Sequence, residues 1–497
     1  MNIAKLFLTA ALKFPDRTAI IEGRNQISYA DLVDEVKHTA TYFSKKGIVK
    51  GDRVLVFVPM SIDLYRIVLA LFYIGATAVF LDEWVNKKRL ELCCKLADCK
   101  GFIGVFKARM FVIFSSELRA IPIKLNLRKK STEKIDITPI SENDAALITF
   151  TTGSTGTPKA ANRTHGFLKA QFEALLDEIE PKYTDIDMPV LPIVLFVNLG
   201  VGCTSVIANF KMTKPESMNA TAIATQIYEN KVNRITASPF FIRKIAKHLK
   251  ESKTELSGIE KIFTGGAPVF PDEAKLYREA FPNTITKIVY GSTEAEPISS
   301  IDANFLVNRA GELKQGLPVG KPYHKAEIRI IRIIKNAISV KNEDTFQLLC
   351  AEDGEIGEIV VSGAHVLKQY YNNEVAFKEN KIVVGNMVWH RTGDSGFMKQ
   401  GELFLTGRCK QLINIETGLI SPFIIENQLQ SIDGITMGTI LYVDNKLILV
   451  IETSLSISQI EQHIAEIDYD VIKTIAKIPR DPRHNSKIDY EKLRRLV

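Results

Sequence analysis

Between positions 151 and 159 the chain reads Thr151-Thr152-Gly153-Ser154-Thr155-Gly156-Thr157-Pro158-Lys159, a run of hydroxyls and glycines that ends in a lysine. A loop so poor in bulky side chains lets backbone N–H groups approach a polyphosphate closely. Its hydroxyls add donors and Lys159 adds a positive charge. The spacing is not that of a Walker A loop, because Pro158 precedes the lysine and Ala160 follows it. The same residues also fit a surface loop between a strand and the next helix. The apolar run Ala145-Ala146-Leu147-Ile148-Thr149-Phe150 just before them reads as a buried strand.

Five more short motifs follow. They are Phe263-Thr264-Gly265-Gly266-Ala267-Pro268, Tyr290-Gly291-Ser292-Thr293-Glu294, Arg391-Thr392-Gly393-Asp394, Gly407-Arg408-Cys409-Lys410, and Lys487 near the C-terminus. Together with the loop at 151–159, these six elements resemble, in order and over nearly the whole chain, the adenylate-forming superfamily. That superfamily contains acyl-CoA synthetases, peptide-synthetase adenylation domains and luciferases. The resemblance implies an ATP-dependent, Mg2+-dependent ligase that converts a small-molecule carboxylic acid into an acyl-adenylate and then passes the acyl group on, with CoA as one acceptor.

The same resemblance assigns roles. Thr151, Thr152, Gly153, Ser154, Thr155 and Gly156 clamp pyrophosphate, with Lys159 as their cation. Gly265, Gly266, Ala267 and Pro268 form the adenine-side loop, and Tyr290 offers adenine a flat face beside Gly291 and Ser292. Thr293 donates to the α-phosphate and Glu294 holds Mg2+. Asp394 accepts both ribose hydroxyls, which suits an ionised carboxylate, and Arg408 reaches the ribose or α-phosphate through its fork of donors. Lys410 is the hinge residue, and Lys487 bridges the substrate carboxylate and the α-phosphate. Such a set meets the chemical need: a weak carboxylate nucleophile must approach a repelling polyanion, so charge must be neutralised as it shifts in the transition state. Blander readings stand beside each role. Glu294 also fits a helix first-turn acid, Tyr290 a core aromatic, Gly393-Asp394 a simple turn, and Lys410 and Lys487 solvated charges.

The elements that must position these residues alternate between strand and helix. Residues 52–58 read as a strand, 62–73 as a helix with apolar positions at helical spacing, and 76–81 as the next strand. Residues 235–239, 259–263 and 286–290 look like strands of a second such set. This alternation predicts an α/β fold of two βα-layered subdomains with parallel sheets. From about 321 to 406 the texture changes to short alternating strands, as at 326–333 and 357–361, which predicts a smaller β-rich part. The expected division is therefore 1–406 for the large domain carrying the ATP and acyl sites. Residues 407–497 form a small α+β lid that, by resemblance, rotates about Lys410 between half-reactions.

Bulk properties fit. At 497 residues the chain exceeds what one core usually supports. Its 46% hydrophobic and 24% charged content and mean hydropathy of +0.03 are those of a soluble enzyme. The formal charge of +7 comes from basic residues that look dispersed, apart from Lys124 to Lys130, which reads as a solvated loop. That argues against a nucleic-acid partner and suits a polyanionic substrate. Six cysteines lack metal-ligand spacing and read as reduced packing residues in a cytoplasmic protein. No targeting pattern stands out, and the apolar run from Ile67 to Leu81 is too short to span a bilayer comfortably.

Three departures from the superfamily pattern bear on the acceptor. The run Asp481-Pro482-Arg483-His484-Asn485-Ser486-Lys487-Ile488 puts serine where a glycine usually precedes the lysine. It resembles a subgroup that includes the olefin-pathway β-lactone synthetases and related fatty acid–CoA ligases. Leu195 stands where a histidine or aromatic is common; with Phe196, Val197 and Leu199 it points to an aliphatic acyl pocket, or else to sheet core. Asn414-Ile415-Glu416-Thr417 lacks the lysine common in CoA ligases, and Ile424 replaces a frequent glutamate. Three readings follow: a fatty acid–CoA ligase, a β-lactone synthetase in which a 3-hydroxyl of the substrate expels AMP, and a nucleotide-binding protein without turnover.

Overall fold

The computed structural model describes residues 1–81, 87–152, 158–212, 214–416, 418–480 and 488–497; of 87, 151 and 152 it describes only the backbone. The first sheet runs in the order Ile123–Lys124, Gly101–Gly104, Arg53–Phe57, Thr77–Phe80, Ala145–Thr152, Pro158–Thr164. Its pairs are parallel except the last. The helix Ile62–Tyr73 connects two of these strands. Ser61 starts it by accepting from the Leu64 N–H at 3.2 Å, and Gly75, at φ +71°, lets the chain turn into the next strand. The phosphate-loop region is entered from Ala145–Thr152 and left through an antiparallel strand, not a helix, with Thr151 registered opposite Lys159. The surface-loop reading had a helix there.

The second sheet carries the three predicted parallel strands side by side, Arg234–Ala237, Lys261–Gly265 and Ile285–Ser292, with Ile186–Pro189 parallel beside the first of them. It continues through Ala295–Asp302 and Leu317–Pro322 into Glu402–Arg408, Met387–Lys399, Gly357–Ser362 and Glu327–Ile331. The β-rich part is thus a hydrogen-bonded extension of the second sheet rather than a sheet of its own. At the other edge the hairpin Thr18–Ser28 pairs with Thr204–Ile207. Cys93, Cys94, Cys99 and Cys203 are buried and unbridged, and burial pushes the Cys94 and Cys99 thiols up to about 12, as expected of packing residues.

After Gly407 the helix Pro422–Gln430 packs on a three-stranded sheet, Ile435–Val443, Lys446–Thr453 and Val471–Ile475. Leu429, Ile440, Leu449 and Ile451 form its core. The lobe touches the large domain where Phe423 meets Phe270, ring centroids 5.2 Å apart, and where Lys314 pairs with Glu466 at 2.6 Å.

Two clamps fix the ends of the segment that carries Lys487. On one side Arg480 binds the Glu452 carboxylate at 3.0 and 3.1 Å. On the other, Tyr490 and Thr439 donate to Glu426. Burial pushes the Glu426 carboxyl up to about 7 against those hydrogen bonds. A carboxyl whose folded pKa lies above its unfolded value stabilises the fold only while protonated. That contribution is complete below about 4.5 and is lost as pH rises through about 7. Glu426→Gln keeps an acceptor and removes the charge. Its melting temperature is expected to exceed the parent's by a few degrees at pH 8 and to match it near pH 4.5. Parallel melting curves for the two proteins across this range would refute the linkage.

Candidate active site

Neighbouring strands bring together the residues expected to face the ribose and adenine. Asp394 and Arg408 are cross-strand partners in the pair Met387–Lys399 and Glu402–Arg408, so register alone places them face to face. Arg408 Nε lies 3.1 Å from Asp394 Oδ1, and the Tyr290 hydroxyl donates to Asp394 Oδ2 at 2.8 Å. The Asp394 N–H is in turn held by Thr392 Oγ1 at 3.0 Å. Gly393, at φ +70°, makes the bend between them. Burial and the Asp394 charge push the Tyr290 phenol well above its usual range, so it remains a donor. The Asp394 charge holds Arg408 firmly protonated, with about half its side chain (52%) still open to a ligand.

Arg391, the first residue of this motif, is buried and turned away. It binds Glu358 at 3.0 and 2.6 Å and the Asn336 carbonyl at 2.8 Å. It braces the strand rather than the ligand.

On the adenine side, Gly265 sits where an added Cβ would lie 2.5 Å from the Val289 carbonyl oxygen, so only glycine lets these two strands approach. Gly266 has φ +84° and open space beside it. Ala267 is half-buried and Pro268 exposed. Gly291 is similarly tight, 2.9 Å from the Ala295 carbonyl oxygen for an added Cβ. Ser292 Oγ and Thr264 Oγ1 are buried with no hydrogen-bond partner among the described residues, leaving donors for a bound group.

Thr293 and Glu294 form the turn of the hairpin between Ile285–Ser292 and Ala295–Asp302. This overturns the helix first-turn reading of Glu294: no helix dipole acts there. Thr293 is exposed, and its carbonyl accepts from Arg163 at 3.0 Å. Glu294 Oε1 accepts from Tyr370 at 3.3 Å, and its backbone carbonyl from the Leu367 N–H at 2.7 Å. Lys159 Nζ donates to Asn380 Oδ1 at 2.6 Å. Burial lowers the Lys159 pKa, and the nearby Glu294 opposes this while Lys410 adds to it. The hinge candidate therefore lies within electrostatic reach of the phosphate-side lysine.

Sequence reasoning missed the partners of this group. Lys381 is buried, donates to the Leu367 carbonyl and lies 5.5 Å from the Tyr370 ring centroid. Burial pushes it down to about 7 against the pull of Glu294. Arg163, buried, donates to the Thr293 carbonyl, and the half-buried Glu296 lies within its electrostatic reach. A lysine opening the strand Lys381–Val384 was the one available signal, and alone it looks like an edge residue. Gly153, Ser154, Thr155, Gly156 and Lys487 lie outside the described residues, as do the side chains of Thr151 and Thr152.

The donor set at Glu294 fits Mg2+, which commonly takes one or two protein carboxylates and completes its shell with substrate phosphates and water. Among the described residues no group of three His, Cys, Asp or Glu side chains could hold a metal alone. An ion here would depend on the phosphates it accompanies.

All but the first residue of Leu191 to Gly200 prove to be helix, not sheet: Pro192–Val201 follows the strand Ile186–Pro189, and Asn198 ties it back to the buried Asp187 at 2.8 Å. Leu195 is wholly buried. Phe196, Val197 and Leu199 line an apolar cleft with Phe7, Phe72 and Phe172, enclosing a cavity of about 50 Å3. Gln171 is the one polar residue on the wall. At one end Ile193 also packs against the cluster of Val194 and Phe263, next to Thr264 of the adenine-side strand.

If Asp394 holds the ribose, Asp394→Asn is expected to lower kcat/KM for ATP by about tenfold to a hundredfold, the worth of a charge-assisted hydrogen bond. Melting temperature should change little, since Tyr290 and Arg408 keep an acceptor. An unchanged kcat/KM in a pyrophosphate-exchange assay would remove Asp394 from the site.

Comparison with known proteins agrees with this geometry. The chain is 27% identical over 549 aligned positions to the olefin beta-lactone synthetase of Xanthomonas campestris pv. campestris, covering 99% of this chain and 96% of that protein. It is 25% identical to the 4-coumarate–CoA ligase CCL1 of Humulus lupulus, covering 85% and 78%. Its fold matches that of the O-succinylbenzoate coenzyme A synthetase of Bacillus subtilis in complex with ATP and magnesium ion. There the TM-score is 0.81 at 21% identity, covering 98% of this chain and 99% of that one. None of the described helices is long and apolar enough to cross a membrane. Residues 7–371 match the family model for the AMP-binding enzyme, and the chain belongs to that family.

Proposed function

We propose that this chain activates an aliphatic carboxylic acid with ATP, forming an acyl-adenylate and pyrophosphate. The observation that carries the reading is the convergence of Tyr290, Asp394 and Arg408 on one side and Lys159 and Glu294 on the other, around the Gly265-Gly266 edge. Asp394 accepts the ribose hydroxyls, Arg408 and Thr293 meet the α-phosphate, and Lys159 draws charge from the departing pyrophosphate. The substrate carboxylate oxygen forms its bond to the α-phosphorus as the bond to pyrophosphate breaks, and Lys487 bridges the two reactants. Mg2+, when bound through Glu294, supplies further neutralisation of phosphate charge. An apolar cleft suits an alkyl chain, each buried methylene contributing about 0.8 kcal/mol.

For the second step, similarity over the full length to a β-lactone synthetase favours an acid with a 3-hydroxyl group. The hydroxyl oxygen attacks the acyl carbonyl and gives up its proton to solvent, closing a four-membered lactone as the acyl–phosphate bond breaks and AMP leaves. A fatty acid–CoA ligase is the second reading, favoured by the likeness to CoA ligases over 85% of the chain. There the CoA thiol forms the acyl bond instead. Mass spectrometry of products from a 3-hydroxy fatty acid, ATP and Mg2+, with and without CoA, separates them. Lactone formed without CoA supports the first, and acyl-CoA formed only with CoA supports the second. Failure of pyrophosphate exchange with a range of aliphatic acids would overturn both.

A further inference from the structure

The helix Phe106–Phe114 inverts the usual pattern of burial. Of its nine residues only Ala108 is buried. Phe106, Phe111 and Phe114 are 79%, 60% and 67% exposed, and Met110 and Ile113 are 43% and 57% exposed. Positions 106, 110, 113 and 114 share one helical face, with 111 beside them. Single exposed apolar residues are ordinary, whereas five on one short helix form a patch that marks a site of contact. The helix is nonetheless seated: an added Cβ on Gly104 would lie 3.0 Å from Ala108 Cβ, and Val105 and Val112 pack against the core of Leu55, Phe102 and Phe150.

The stretch of chain that carries this patch has a surplus of positive charge, although Lys100 pairs with Asp52 and Lys130 with Glu35. Residues 87–130 contain twelve Lys or Arg and three Asp or Glu, a surplus of nine where the whole chain carries +7, so the rest of the chain is slightly acidic. The net positive charge of the chain is therefore carried by this stretch. Lys107 and Arg109 lie on the helix itself, are exposed, and pair with no described carboxylate. Of the three acids, Asp98 is engaged by Arg53 at 3.0 Å, while Glu91 and Glu117 are only partly exposed.

We propose that Phe106–Phe114 is a membrane-surface docking element that lays its phenyl, Met and Ile side chains into the outer acyl region of an anionic bilayer, while Lys107 and Arg109 hold the lipid headgroups. Nine residues cannot span a membrane, so the helix lies in the interface plane. A protein partner is the poorer fit. Protein interfaces carry roughly one hydrogen bond per 100–200 Å2 and exclude charge from their centres, and this helix has no polar side chain other than Lys107 and Arg109. Cations flanking an aromatic apolar face instead match headgroups above acyl chains. A single patch of this size gives reversible attachment. The inference stands apart from the adenylation reading.

Flotation with vesicles of one part phosphatidylglycerol to two parts phosphatidylcholine tests it. The full chain is expected to float with these vesicles and far less with pure phosphatidylcholine. Raised salt and the pair Lys107→Gln with Arg109→Gln should each weaken attachment. The pair Phe111→Ser with Phe114→Ser should lower the partition constant by about tenfold or more, with unaltered melting temperature and far-UV circular dichroism showing an intact fold. Absence of flotation, or equal flotation of the Phe111→Ser, Phe114→Ser protein, would overturn the proposal. So would a lipid-free dimer in light scattering that the same two substitutions dissolve, since that would assign the patch to a second copy of the chain.

Discussion

Lys487→Ala is expected to slow acyl-adenylate formation by about a hundredfold to a thousandfold, the loss seen when a preorganised charged donor is removed from a transition state. Consumption of supplied acyl-adenylate should continue at close to the parent rate. The reason lies in the chemistry of the first step. A carboxylate must come into contact with a phosphate that carries its own negative charge, and a cation placed between them acts only while both are present. Once AMP is the leaving group, that need has passed.

The described residues on either side of this segment are held to the small lobe. Arg480 is tied to Glu452, the Asp489 N–H donates to the Pro479 carbonyl at 2.9 Å, and Tyr490 is held by Glu426. Both ends of the segment 481–487 are thus fixed to the small lobe. The measurement is pyrophosphate exchange beside single-turnover consumption of synthetic acyl-adenylate. Equal loss in the two assays would point to damage of the lobe and defeat the assignment.

Much of the candidate site was legible because its chemistry is local. A Gly-Gly pair at a strand-to-loop junction announces a close approach or a left-handed turn, and the structure uses Gly265 for the first and Gly266, at φ +84°, for the second. Asp394 and Arg408 were each legible in a short motif. That they face one another was not, since register between two strands is fixed by hydrogen bonds outside either motif. Glu294 shows a different limit. Thr-Glu after a strand suits a helix start or a hairpin turn equally, and the antiparallel return through Ala295–Asp302 decides between them.

Long-range pairing hid the rest. Nothing in Thr18–Ser28 announces Thr204–Ile207 as its neighbour, and nothing in the alternating strands after 321 says that they continue the second sheet. Lys381 escaped notice for the same reason. Its meaning comes from Tyr370, Leu367 and Glu294, which meet it only after folding. The exposed helix at 106–114 was hidden by its composition, which reads as core until the fold leaves its apolar face outside.

Lys410→Pro is expected to separate the two acceptor readings. Lys410 lies in the turn between the strands Glu402–Arg408 and Ile413–Ile415, where the Gln411 N–H donates to the Arg408 carbonyl at 2.9 Å and the Cys409 N–H to the Gly393 carbonyl at 3.0 Å. Both bonds belong to its neighbours, so a proline at 410 leaves these two intact. It does fix φ at about −65° and remove an N–H, which denies the residue a large dihedral change. If the small lobe turns about this position, the substitution holds it near one orientation. Pyrophosphate exchange should then persist within a few-fold of the parent rate, because adenylation needs only the closed arrangement. Thioester formation should collapse, since an external thiol must be admitted after the lobe turns away. Lactone formation should survive, because the attacking hydroxyl is carried by the acid and is already beside the acyl carbonyl when AMP departs. Product analysis on the Lys410→Pro protein therefore reads hinge and acceptor together. Loss of thioester with retained exchange assigns a turning lobe and a CoA acceptor. Retained lactone with retained exchange assigns an internal nucleophile, and parent rates in every assay, thioester included, would show that the chain does not hinge at Lys410.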